Sequence, residues 1–138
     1  MPPKPLIDLS KIDLTHVEAG IEKIRELNPQ RYEMEQLHGI IMMDTDEGVI
    51  VGYKDVREDE FWVRGHIPGR PLMPGVLMCE AAAQLSGYYF YSVLGKDRFL
   101  GFGGLEDVKF RGEVVPGDRL ILAGRKLDLR TRRATFAC

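Results

Sequence analysis

The chain has 138 residues, 44% hydrophobic and 29% charged, which is the size and composition of one folded domain and excludes wholesale disorder. The net charge of −2 conceals an acidic first part (residues 1–60, with 7 Lys/Arg and 14 Asp/Glu) and a basic remainder (residues 61–138, with 12 and 7). The basic part is too mixed in charge for a nucleic-acid interface. Two cysteines, Cys79 and Cys138, exclude a disulfide framework and a structural zinc site.

Residues 1–12 form a proline-rich arm without the apolar segment of a signal peptide, so we expect a cytoplasmic protein. Thr15-His16-Val17-Glu18 has the form of a helix capping box. Apolar residues then recur at helical spacing until Asn28-Pro29. This pattern predicts a short amphipathic helix over residues 15–27.

Several segments have the apolar or β-branched composition of strands, and turn residues separate them. Asp46-Glu47-Gly48 and Pro116-Gly117-Asp118 are the clearest turn signals. The predicted strands cover residues 37–43, 49–56, 105–115, 120–129 and 133–138, with a short extended piece over residues 61–65.

Gly75 to Leu94 is a run of twenty residues with a single charge, which is long enough to span a membrane. Glu80 and Gln84 interrupt it at a spacing of one helical turn, so we predict a helix of a globular protein, buried on nearly all sides. The aromatic run Tyr88–Tyr91 is expected to pack in the core. We therefore predict one α+β domain over residues 1–138, in which a hydrophobic helix is wrapped by an antiparallel sheet.

The segment from His66 to Glu80 carries the residues best suited to chemistry. His66 stands at the head of a rigid loop rich in proline and glycine, and imidazole suits proton transfer near neutral pH. Gly75 lies at a helix start, where free amides favour negative charge. Glu80, if buried in its apolar helix, would hold a proton for donation. Such a set suits removal of a proton next to a carbonyl with loss of a hydroxyl.

Each of these residues also has an ordinary structural explanation: a hydrogen-bonding histidine, a turn, or a carboxylate in an ion pair. Their coincidence within fifteen residues favours a functional site. Cys79 is interpreted as a small core residue, because neighbours on a helix point about 100° apart. His16 and His38 have no carboxylate or cysteine partner at motif spacing.

The stretch from Gly65 to Gln84 resembles the signature of the 3-hydroxyacyl-acyl-carrier-protein dehydratases of type II fatty-acid synthesis, which have the hot-dog fold. The family pattern is Gly-His-Phe-Pro-Gly-x-Pro-x-x-Pro-Gly-Val-Leu-x-x-Glu-Ala-x-Ala-Gln, and the chain departs from it only at Ile67. The stretches 110–118 and 21–32 also resemble family segments, so the resemblance covers about residues 17–137. It implies a hot-dog fold for this chain.

The resemblance implies that His66 is the catalytic histidine, Glu80 the catalytic carboxylate, and Gly75 the residue whose amide binds the thioester carbonyl. In this family the site forms across a dimer interface, with His66 from one subunit and Glu80 from the other. Family members also assemble as trimers of dimers. No metal or redox cofactor is implied.

Other positions follow from the same resemblance. Expected tunnel residues are Ile67, Met73, Val76, Gln84 and Phe102, and Phe102 stands among glycines as a candidate lid. Expected docking residues for the acidic carrier protein are Arg64, Arg70, Lys109 and Arg111, with Arg132 and Arg133 as further candidates. Gln30 and Glu33-Met34 depart from the family pattern outside the catalytic core. Family members continue past Cys138 with one more turn and strand, so we expect either a truncated chain or an open sheet edge.

The implied reaction converts a (3R)-hydroxyacyl thioester on acyl carrier protein into the trans-2-enoyl thioester and water. Two alternatives remain open. A hot-dog thioesterase would use Glu80 or Asp97 to activate water, and a non-catalytic protein would bind the acyl carrier without turnover. The pathway served is fatty-acid synthesis, lipid A precursor synthesis or polyketide synthesis.

Overall fold

The computed structural model describes residues 5–138, which form two α-helices and four β-strands. Two single 3₁₀ turns, Leu9–Lys11 and Tyr32–Met34, flank the first helix. The helices and strands are α1 (Ile21–Leu27), β1 (Gly39–Asp44), β2 (Val49–Asp55), α2 (Gly75–Leu94), β3 (Arg119–Leu129) and β4 (Ala134–Ala137).

The four strands form one antiparallel sheet in the order β1-β2-β3-β4, and α2 packs against β2 and β3. Ile40, Ile50 and Leu122 of the sheet bury their side chains with Leu85 and Tyr89 of the helix. A Cβ at Gly52 in β2 would lie 2.8 Å from Leu85, so glycine at this position permits the close approach of helix and sheet. The long apolar helix on an antiparallel sheet confirms the predicted α+β hot-dog architecture.

The other face of the sheet is covered by the N-terminal arm. Apolar side chains of the arm pack against Ile41, Val51 and Tyr53 of β1 and β2. These arm residues are Ile7, Leu9, Ile12 and Leu14. The arm predicted over residues 1–12 is thus seen from residue 5 onward, and its first four residues lie outside the described part.

The predicted helix over residues 15–27 is wrong at its start, because α1 begins only at Ile21. The Thr15 hydroxyl and amide donate to the side chain of Asp13 and form a local turn. The amides of Glu18 and Ala19 donate to the Ile40 carbonyl, so this stretch extends the edge of the sheet instead. The capping-box pattern therefore marks a turn and not a helix start.

The strand predicted over residues 105–115 is also wrong. None of these residues belongs to a strand, and most of them are exposed. The extended piece predicted over residues 61–65 consists of turns, in which the amide of Val63 donates to the Glu60 carbonyl. Apolar composition alone does not make a strand where no neighbouring strand supplies hydrogen bonds. The other predicted strands are confirmed to within two residues at each end.

Helix α2 has the predicted bounds, but it is not buried on nearly all sides. Eight of its residues are buried, and all eight lie between Ala81 and Tyr91. The aromatic run Tyr88–Tyr91 is wholly buried, as predicted. Among residues 5–138, no helix combines the length and the apolar character needed to cross a bilayer.

Candidate active site

The loop that carries His66 is built from consecutive turns. The Trp62 side chain is buried with Val56 and Met73 beneath the loop. The Trp62 carbonyl accepts hydrogen bonds from the amides of Gly65 (3.2 Å) and His66 (2.8 Å). His66 itself is exposed, so the loop presents the imidazole at the surface of the chain.

Leu72 holds His66 at two points. The Leu72 amide donates to the His66 carbonyl at 2.8 Å, and His66 Nδ1 lies 2.7 Å from the Leu72 carbonyl oxygen. Since a carbonyl only accepts, Nδ1 must carry a proton in this contact. The neutral ring then has its lone pair on Nε2, which is the form that a general base requires.

Helix α2 begins at Gly75 directly after Pro74, whose φ of −58° suits the entry to a helix. The Pro74 carbonyl accepts from the amides of Leu77 (2.9 Å) and Met78 (3.3 Å). The amides of Gly75 and Val76 have no acceptor within residues 5–138. They are therefore free to stabilise a negatively charged oxygen.

The Phe110 ring lies directly beside Gly75. A Cβ at Gly75 would stand 2.8 Å from this ring, so glycine is required for the contact as it is seen. Two contacts hold the 110–114 stretch beside the helix start: the Met73 amide donates to the Val114 carbonyl at 2.8 Å, and Arg70 pairs with Glu113 at 2.6 Å.

Glu80 is half-buried and belongs to a hydrogen-bond network with Gln84, one helical turn further on. Gln84 Nε2 donates to Glu80 Oε1 at 2.9 Å and to the Met34 carbonyl at 2.6 Å. Gln84 Oε1 accepts from the Gln36 amide at 2.9 Å. Because Gln84 is buried and bonded on both sides, it fixes the orientation of the Glu80 carboxyl.

Within one chain, His66 and Glu80 make no direct polar contact with each other. No hydrogen bond or ion pair joins them in the part of the chain that the structure describes. Gly75 faces Phe110, whereas Glu80 faces the segment at Met34. In an α-helix a separation of five residues corresponds to about 140°, so Gly75 and Glu80 point to different sides of α2.

The remaining predicted tunnel residues divide between buried and exposed positions. Met73 is buried in the cluster beneath the His66 loop, and Gln84 is buried in the Glu80 network. Ile67, Val76 and Phe102 are exposed in the single chain. Phe102 lies outside any strand, so the glycines around it are loop residues and not strand bulges.

The predicted docking cations are all exposed, but two of them have acidic partners. Arg70 pairs with Glu113, and Lys109 pairs with Asp107. Arg64 and Arg111 have no ion-pair partner among residues 5–138. Arg132 and Arg133, in the turn between β3 and β4, are exposed as well.

The other histidines and Cys79 lie apart from this loop. His16 is exposed and precedes α1. Burial lowers the pKa of His38, whose Nδ1 accepts from the Asp55 amide at 3.0 Å, and nearby Lys54 and Arg57 lower it further. Cys79 is half-buried, less than a core residue would be. Within residues 5–138, no group of three or more His, Cys, Asp or Glu side chains is arranged to hold a metal ion.

Sequence reasoning missed two sets of supporting residues. Asn28 is buried and donates to the Gln84 carbonyl, next to the Gln36 contact described above. Lys54 and Glu60 form a buried ion pair at 2.6 Å, which joins β2 to the turns that precede His66. The Lys54–Glu60 pair had one signal in the sequence, which is a lysine directly after the apolar run Val49–Tyr53.

Comparison with known proteins defines the class. Residues 28–137 match the FabA-like domain family, and the chain belongs to this family. It is similar to proteins named 3-hydroxyacyl-(acyl-carrier-protein) dehydratase FabZ. The relative from Clostridium botulinum strain Eklund 17B is 41% identical over 107 residues, which are 74% of this chain and 73% of the relative. The relative from Clostridium beijerinckii is 40% identical over 108 residues, 75% of this chain and 74% of the relative.

Proposed function

We propose that the protein is a dehydratase that converts (3R)-hydroxyacyl-acyl carrier protein into trans-2-enoyl-acyl carrier protein and water in fatty-acid biosynthesis. The names and identities of the relatives support the substrate and the reaction. The observation that carries the chemical assignment is the His66 ring, whose Nδ1–H is held by the Leu72 carbonyl so that Nε2 is free to accept a proton.

In the proposed mechanism, His66 Nε2 takes a proton from the carbon between the thioester carbonyl and the hydroxyl-bearing carbon. Negative charge then grows on the carbonyl oxygen, and the free amide at Gly75 stabilises it. Glu80 donates a proton to the hydroxyl as the carbon–oxygen bond breaks and water leaves. Transfer of the proton from His66 back to Glu80 restores both groups.

The proposed site combines His66 of one subunit with Glu80 of a second copy in a homodimer. The different directions of Gly75 and Glu80 around α2 support this arrangement. A stretch of exposed apolar side chains also supports it, because soluble monomers seldom expose a large contiguous apolar surface. These side chains, which we call the exposed apolar segment, are Phe99 (95% exposed), Phe102, Leu105, Val108, Phe110 and Val115.

The first test is an assay of the reverse reaction, in which hydration of an enoyl thioester removes the absorbance of the conjugated enoyl group. We expect His66→Ala and Glu80→Gln each to lower the rate by at least about a hundredfold. Cys79→Ala, next to Glu80 on the helix, is the matched control and should keep the wild-type rate. Full activity in either site variant contradicts the proposed roles, and release of free thiol without hydration indicates a thioesterase.

A hybrid dimer tests whether the site is shared. His66→Ala and Glu80→Gln chains with different tags are co-expressed, and the doubly tagged species is isolated. In a shared site, the hybrid contains one site with both residues intact, so we expect about half of the wild-type activity per dimer. If each site lies within one chain, the hybrid stays as inactive as the two parent variants, and the shared site is refuted.

A further inference from the structure

The pair formed by Lys54 and Glu60 differs from every other ion pair in the described residues because both of its side chains are buried. Lys54 Nζ lies 2.6 Å from Glu60 Oε1, and the two side chains are 1% and 7% exposed. Burial of two charges costs several kcal/mol, and an apolar pair of similar volume is often equally stable. Overall stability therefore gives no sufficient reason for an ion pair at this place.

Two consecutive hydrogen-bonded turns connect this pair to the backbone of His66. Glu60 Oε2 accepts from the Arg57 amide at 2.8 Å, so one carboxylate both binds Lys54 and closes a turn. In the next turn, the Glu60 carbonyl accepts a hydrogen bond from the Val63 amide (3.1 Å). The Trp62 carbonyl then accepts from the His66 amide. The carboxylate of Glu60 thus stands at the base of the turns that place His66.

Core packing cannot place His66 directly, since residues 64–70 are all exposed. The contacts with Leu72 set the orientation of the imidazole ring. The base of the loop is held by the buried Trp62 side chain and by the ion pair of Glu60 with Lys54, which extends from β2, an inner strand of the sheet. A displacement of about 1 Å at a reacting group can lower a rate by about a hundredfold.

We propose that Lys54 and Glu60 are positioning residues, which fix the turns of residues 57–65 to β2 and thereby hold His66 at the distance that proton transfer requires. This inference rests on the proposed role of His66 as the base. Neither residue touches the substrate in this proposal, and both act through the placement of the imidazole.

The test removes both charges together, because removing one would leave the other buried without a partner. We expect Lys54→Met/Glu60→Leu to keep a melting temperature near that of the wild type. In the enoyl-hydration assay its kcat should fall at least about tenfold while KM changes by less than about threefold. The matched control is Asp55→Asn/Arg119→Gln, which removes the neighbouring exposed ion pair (2.7 Å) and should leave kcat unchanged.

The decisive measurement repeats the double substitution in a His66→Ala background. If the pair acts through His66, the substitution costs no further activity there, because residues that act as one unit are not additive. A further tenfold loss in this background overturns the proposal. Full kcat in the folded double variant also overturns the proposal. Failure of that variant to fold overturns it too, since the pair would then support the whole fold. A His66→Ala variant with wild-type activity refutes the proposed function instead.

Discussion

The two halves of helix α2 have different surroundings. From Ala81 to Tyr91 the helix lies against β2 and β3, and eight of its residues are buried. From Gly75 to Glu80 no residue is buried, and the amides of Gly75 and Val76 have no acceptor among residues 5–138. The buried half holds the helix in the fold, and the other half, which we call the accessible half, carries Gly75 and Glu80 of the proposed site. Substitutions in the two halves should therefore separate stability from activity.

The largest effect on stability is expected from Leu85→Ala in the buried half. Leu85 is fully buried between helix and sheet, so its truncation leaves a cavity. We expect the free energy of unfolding to fall by about 2–5 kcal/mol, measured by denaturant titration, with kcat of the folded protein preserved. Val93→Ala, at an exposed position of the same helix, should cost about 0.5 kcal/mol or less. Equal costs for the two variants would mean that burial against the sheet does not determine the cost of truncation in α2.

Gly75→Ala in the accessible half should lower the activity while it leaves the stability almost unchanged. The three atoms nearest to the added methyl group all belong to the end of the half-exposed Phe110 ring, which can shift, so we expect a stability change of about 1 kcal/mol or less. The methyl group would cover the free amide, and enoyl hydration should slow by about tenfold or more. Gly112→Ala, where a Cβ meets no atom within 4 Å, is the control and should keep the wild-type rate. An unchanged rate in Gly75→Ala would remove Gly75 from the proposed site.

The smallest expected effect is on the pH dependence of stability, and it comes from His38, which directly precedes β1. Burial, reinforced by Lys54 and Arg57, lowers the pKa of His38 below its ordinary value of 6.5, while Asp55 and Glu60 oppose this shift. The unfolded chain then binds the proton more readily than the folded one. The free energy of unfolding should therefore fall as the pH drops below 6.5, and no such loss is expected above it.

His38→Asn isolates this contribution, since the asparagine oxygen can still accept from the Asp55 amide but does not titrate. Urea titrations at pH 7 and pH 5 should show a shallower decrease in stability for the variant than for the wild type. Identical decreases would mean that His38 makes no contribution to the pH dependence.

Much of the architecture was predictable because it depends on local patterns. The nearly uncharged run from Gly75 to Leu94 predicted the bounds of α2. The turn signals at residues 46–48 and 116–118 predicted the turn between β1 and β2 and the start of β3. The predictions failed where a distant contact decides the structure. Glu18 and Ala19 bond to Ile40 instead of starting a helix, and residues 105–115 find no neighbouring strand within the described residues.

The motif from His66 to Glu80, visible in the sequence, specified which residue types are available for acid–base chemistry and how the loop leads into the helix. Only the tertiary structure determined which nitrogen of His66 is free, that Gln84 holds Glu80, and that Lys54 and Glu60 form a buried ion pair. The physical reason is that a motif fixes the order and spacing of groups along the backbone. Hydrogen bonds and burial between distant residues determine their orientation and their protonation.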